Sequence, residues 1–156
     1  VPDPLPTTCR LNTFLDAVVD QLKLNVKPNS GLNLVPNPVT VKRVLRIGDF
    51  TGLGKPLLAV QAMSWNADPG AARRFAGMLR FAIHCIVSAR DGDEQELLNL
   101  ATDAIRAIAK DETLGGLVTY TFPVEFTPLA DTTAASGYAQ AAVTFETAYI
   151  WDAATP

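Results

Sequence analysis

The stretch MLRFAIHCIVSA, residues 78–89, decides the fold. Leu79, Phe81, Ile83, Cys85, Val87 and Ala89 occupy alternate positions, with Arg80, His84 and Ser88 between them. Strand side chains alternate between two faces, so this spacing predicts a long strand with one unbroken apolar face. Downstream, Asp91-Gly92-Asp93 predicts a turn into a helix over about 94–109, with Asp93 at the cap and Glu96 completing a capping box. Leu97, Ala101, Ala104, Ile105 and Ile108 share one face of that helix and are expected to pack on Phe81, Ile83 and Cys85. Gly115-Gly116 then releases the chain into a strand over 117–127. Its Val118, Tyr120, Phe122, Val124 and Phe126 are expected inward, and Thr119, Thr121 and Glu125 outward. Pro123 has no N–H to give to a ladder, so this strand belongs at an edge or bulges there. Residues 128–138 read as a long hairpin loop, and a closing strand over 140–151 sets Val143, Phe145, Tyr149 and Trp151 on one side.

Upstream, residues 1–7 hold three prolines and predict an extended arm. Thr7 or Thr8 caps a helix to about Leu24, amphipathic through Leu11, Phe14, Leu15, Val18 and Leu22, with Asp16, Asp20 and Lys23 opposite. The Pro-, Asn- and Gly-rich residues 25–38 read as a loop. Val39, Val41, Leu45 and Ile47 mark a strand in which Arg43 breaks the apolar set, the pattern of an edge or of an interface. Residues 48–56 read as a hairpin loop into a strand over 57–65, and 66–77 as an exposed loop. The expected fold is α+β: a mostly antiparallel sheet of about five strands with two helices packed on one face, in a single domain spanning residues 1–156.

Hydrophobic residues make up 48% and charged residues 19% of 156, enough to bury a core and slightly apolar for a small monomer. No apolar run nears the roughly 20 residues that span a bilayer, and the proline-rich start does not read as a signal peptide. Cys9 and Cys85 are too few for a disulfide framework and read as buried thiols suited to a reducing cytoplasm. The net charge of −3 is unevenly spread. Residues 42–90 hold eight basic residues against Asp49 and Asp68, a net +6, and the rest of the chain carries −9. Such asymmetry speaks to partners rather than to fold.

No catalytic, cofactor or metal constellation emerges. His84, the single histidine, adjoins Cys85 on a strand, so the two point to opposite faces and cannot share a metal. His84 is expected to face solvent or an interface. Gly48–Pro56 superficially resembles a phosphate-binding loop, but Gly48 is one position too distant, Pro56 stands where Ser or Thr is needed, and a strand follows. Asp91, Asp93, Glu94 and Glu96 suit the first turn of a helix and match no calcium loop. The basic residues Arg43, Arg46, Lys55, Arg73 and Arg74, with Phe50, Leu53 and Phe75 among them, suit a contact with another subunit better than nucleic acid, given a pI near 5.0.

The order of elements, with MLRFAIHCIVSA, DGDEQELLNLATDAIRAIAKD, TLGGLV and AAVTFETAYIW in succession after an N-terminal helix, resembles the tail terminator and tail-completion proteins of long-tailed bacteriophages. The resemblance implies a homohexameric ring that caps the tail tube, stops its growth and joins it to the head-side connector or head-completion protein. Genomic DNA would pass through the lumen without sequence-specific binding. It further implies a place in the virion neck after assembly in the host cytoplasm, no cofactor and no catalytic residues. The rival readings are another neck component, such as a head-completion or connector adaptor protein, and a small enzyme or ligand-binding domain with its site at residues 48–56 or under 128–138.

Overall fold

The structure, a computed structural model, describes residues 10–27, 34–36, 38–44, 54–67, 74–129 and 137–152. Along the chain run α1 (Arg10–Asn25), β1 (Thr40–Arg43), β2 (Leu57–Ala67), β3 (Arg74–Ser88), α2 (Asp93–Ala109), β4 (Tyr120–Leu129) and β5 (Tyr138–Asp152). The strands form one sheet in the order β1-β2-β3-β5-β4. The β2·β3, β3·β5 and β4·β5 pairs are antiparallel, so the fold is α+β with a mostly antiparallel sheet.

Alternation in β3 builds the core. Leu79, Phe81, Ile83, Cys85 and Val87 are all buried on the face that the helices cover. Phe81 stacks on Phe145 at 5.1 Å and meets Phe14 of α1 edge-on at 5.4 Å. These three rings join the first helix to the two central strands. From α1 come Phe14, Leu15, Val18, Val19 and Leu22. From α2 come Leu97, Leu100, Ala101, Ala104, Ala107 and Ile108, while Ile105 is only half-buried at the margin. The buried stripe therefore runs through Leu100 and Ala104 rather than Ile105. A helix advances about 100° per residue, so Leu97, Leu100, Ala104 and Ile108 share a narrower arc than one containing Ile105.

Several local expectations are corrected. β1 and β2 run parallel, with Thr40 opposite Leu57 and Arg43 opposite Val60, so β1 and β2 are not the two arms of a hairpin; residues 48–53 of the expected hairpin loop lie outside the described residues. The proposed loop 66–77 is strand at both ends: Asn66 pairs with Met78 and Ala67 with Gly77, and β3 begins at Arg74. The α2 cap is Gly92, in a left-handed conformation (φ 83°) that favours glycine, and no side chain caps the helix. Asp93 is the first helical residue, and the Glu96 carboxylate turns instead to Arg90 at 2.7 Å.

One carboxylate ties loop to helix. Asp103 is fully buried, and its oxygens accept from the backbone N–H groups of Leu34 and Val35 at 2.8–2.9 Å. Those bonds fix the segment before β1 against α2, which explains an acid on an otherwise apolar helix face.

Candidate assembly surfaces

β4 lies at one end of the sheet order and pairs, among the described residues, with β5 alone. Its register with β5 shifts between Pro123 and Glu125, so the strand is both at an edge and bulged at its proline. The inward expectation for its apolar residues is overturned. Thr121 is the buried residue, hydrogen-bonded through its hydroxyl to Thr147 at 3.2 Å. Tyr120, Phe122, Val124 and Phe126 retain 40%, 37%, 40% and 40% of their surface. The register explains this: Thr121 opposes Thr147 on the helix-covered face, which puts Tyr120 and Phe122 on the other face, opposite Ala148 and Glu146. Beyond the bulge the alternation inverts, and Phe126 opposes Val143. The Tyr120 and Phe122 rings stack on each other at 5.5 Å. Alternation correctly grouped Tyr120 with Phe122; it could not say that their face is left partly open.

A second exposed apolar group lies on β2, where Met63 and Trp65 keep 55% and 49% of their surface. The Trp65 indole N–H donates to the Tyr149 hydroxyl, which in turn donates to the Asn66 carbonyl at 3.2 Å. That chain of bonds holds the far end of the β2–β3 pair against β5.

Four of the eight residues expected at an interface, Arg43, Lys55, Arg74 and Phe75, fall among the described residues. Arg43 is exposed on β1 and donates to Asp16 and Asn12 of α1, both at 2.9 Å. The Lys55 ammonium sits 5.7 Å from the centroid of the Tyr138 ring of its own chain. Arg74 and Phe75 lie in β3, opposite Asp152 and Trp151, not in a loop. Arg46, Phe50, Leu53 and Arg73, with Cys9, fall outside the described residues. Met63, Trp65 and the exposed apolar residues of β4 were not among the residues expected at an interface; Pro123, which marked an edge or a bulge, was the signal that could have pointed to β4.

His84 is also corrected. It is 3% exposed, beside a small cluster of Leu57, Ala59, Ile86 and Tyr138 on the sheet face away from the helices. Its Nε2 lies 2.9 Å from Gln61 Oε1, and its Nδ1 lies 3.3 Å from Gln140 Nε2. A neutral ring that donates through Nε2 and accepts at Nδ1 satisfies both glutamines, and burial lowers the imidazole pKa below its ordinary value. The Cys85 thiol is free and fully buried, which pushes its pKa up to about 12 and leaves it unreactive.

Charge is segregated along the chain. Residues 42–90 carry net +6, residues 91–156 hold two basic and eleven acidic residues, and residues 1–41 are neutral. Seven of those eleven carboxylates lie at residues 91–112, in and around α2, and the Arg80–Glu146 ion pair joins β3 to β5.

Two clefts open on the surface. One, of about 310 Å³, lies at the start of α2 among Val35, Arg90, Asp91, Gln95, Glu96 and Asn99. The other, of about 410 Å³, is lined by Leu15, Arg43, Val44 and Ala62, between α1 and the β1–β2 edge. Among the described residues no group of three or more His, Cys, Asp or Glu is placed to hold a metal ion, and no helix is long and apolar enough to cross a membrane. No protein-family model matches the chain, and no curated protein matches it significantly.

Proposed function

We propose that the chain is a structural subunit of the virion neck of a long-tailed bacteriophage: a tail terminator whose ring caps the tail tube and joins it to the head-side connector. The exposed apolar row of β4 carries the reading. Sheet edges are ordinarily blunted with charge or covered, since an open edge invites pairing with another chain. Here Pro123 and its bulge interrupt the edge, Glu125 is the only charged residue from Tyr120 to Leu129, and four large apolar side chains stay exposed. Exposed apolar side chains on both faces of an edge strand, on a chain with a pI near 5.0, suit a protein partner better than nucleic acid. The resemblance in element order supplies the identity of the partners: further copies of the chain, the tail tube protein, and the connector or head-completion protein. DNA would cross the lumen without base-specific contacts. No step in this role needs a cofactor or a catalytic residue.

Adding the purified protein to polymerising tail tube protein tests the reading, with tube lengths measured by electron microscopy. Elongation should stop, with ring-shaped density on tube ends. Unchanged lengths and bare ends would overturn it, and binding to the connector assembly alone would make the chain a different neck component.

A further inference from the structure

Three observations fall on one rung of the sheet, the pair Phe81–Phe145 of β3 and β5. The first is a bulge in β2: Ala62 pairs with Phe81 and Ser64 with Arg80, which leaves Met63 as an extra residue. The second is the bulge in β4: Pro123 pairs with Phe145 and Glu125 with Thr144, which leaves Val124 as the extra residue. Both strands that flank the central pair are thus interrupted at one level, while the β3–β5 ladder runs unbroken from Arg74–Asp152 to Ser88–Tyr138. The third is a change in burial. Up to the rung, Leu57 to Val60, Phe81 to Val87 and Tyr138 to Phe145 are buried, on both faces of the sheet. From the rung outward, Ala62 to Asn66, Arg80 and Ile150 are exposed, and Met78, Glu146 and Ala148 are half-buried. Among the described residues β1 also stops short of the rung, pairing with Leu57 to Val60 alone.

We infer that this rung is a hinge: a crease across the sheet about which an outer half tilts against a half clamped by the helices. A bulge breaks the local ladder and bends its strand. With both flanking ladders broken, only the β3–β5 ribbon carries stiffness through the crease, and two-stranded ribbons twist more than wide sheets. The stacked Phe81 and Phe145 rings, 5.1 Å apart and met edge-on by Phe14, lie on the axis, so tilting leaves their packing in place. Beyond the axis, Leu79 and Tyr149 keep the outer half attached to the core. Cross-strand contacts knit that half into one body. Thr147 bonds to Thr121, Arg80 pairs with Glu146, and the Trp65 indole donates to the Tyr149 hydroxyl. The hinge therefore re-aims the exposed Trp65, Tyr120, Phe122 and Ile150 together without opening the core.

Amide hydrogen exchange, followed residue by residue in the full chain, tests the hinge. Ladder amides of residues 64–67, 76–80 and 146–150 should open as one unit, with a step at the rung to the slower residues 57–60, 82–87 and 139–144. Deleting Met63 removes one bulge and leaves the β2–β3 pairs on either side of it in register; deleting Val124 does the same in β4. Circular dichroism checks that each variant folds. In each, exchange of the outer half should slow at least about tenfold while the clamped half is unchanged. Unchanged outer exchange in a folded deletion variant would overturn the hinge. So would a smooth gradient toward the strand ends of the unaltered chain, which is fraying, or one common rate for both halves. That measurement decides even where neither deletion folds.

Discussion

β3 and β4 are both long antiparallel strands rich in large apolar side chains, yet they serve opposite ends. β3 has β2 on one side and β5 on the other, and α2 lies across it. From Phe81 to Val87 every side chain is buried, on both faces of the sheet. Among the described residues β4 has one neighbour, and it has a bulge at its proline and four large apolar residues left open. The difference teaches that an apolar strand earns a place in the core through its neighbours. The same kinds of side chain at the edge stay open to solvent.

The largest effect that separates the two strands should come from a charge placed in each. Ile83→Asp in β3 puts an unpaired carboxylate among Phe14, Phe81 and the α2 face, which should remove more than about 4 kcal/mol and unfold the domain. Phe122→Asp in β4, which loses the stack on Tyr120 and sets a carboxylate opposite Glu146, should cost less, about 1–2 kcal/mol, while abolishing assembly. Urea denaturation with sedimentation measures both. A folded Ile83→Asp protein, or an unfolded Phe122→Asp one, would break the distinction.

Next in size is Asp103→Ala, which strands the N–H groups of Leu34 and Val35 and should cost about 1–3 kcal/mol. Asp103→Asn keeps one acceptor oxygen and should recover part of that loss. Equal losses in the two variants would show that the carboxylate acts by something other than these bonds.

A smaller, pH-dependent effect sharpens the picture of the β3 face away from the helices. The His84 pKa is lowered in the folded state, so between that value and the unfolded value near 6.5 the unfolded chain binds more protons. Stability should thus rise with pH through that window and level off above it. His84→Gln should flatten this component of the profile, measured by melting temperature from pH 5 to 8. An unchanged slope would mean that His84 titrates alike in both states. The smallest signal is chemical: with its thiol buried and its pKa near 12, Cys85 should label with thiol reagents only as fast as the domain opens. Prompt labelling under native conditions would contradict its place in the core.

Much of the architecture was legible in the chain. Alternation in 78–89 and 140–151 gave the two central strands, and the stripe through Phe14, Val18 and Leu22 gave α1. Pro123 marked β4 as an edge or a bulge, and it is both. Arg43 marked β1 as an edge or an interface strand; β1 does end the sheet order, and the Arg43 guanidinium reaches out to Asp16 on α1. The candidate surface was less legible. The residues singled out for their charge are partly engaged within the chain, as Arg43 and Lys55 are, whereas the β4 row was assigned to the core.

Taken alone, the sequence determined the elements, the residues that share a face on each, and an imbalance of charge along the chain. These are local properties: a strand repeats every two residues and a helix every 3.6 whatever lies opposite. Only the tertiary structure decided which faces are covered. It buried His84 against Gln61 and Gln140, 23 and 56 residues away, and left Phe122 and Val124 open. It also set β1 parallel to β2. Burial belongs to a pair of surfaces, and the second surface comes from a distant part of the chain, which periodicity does not encode.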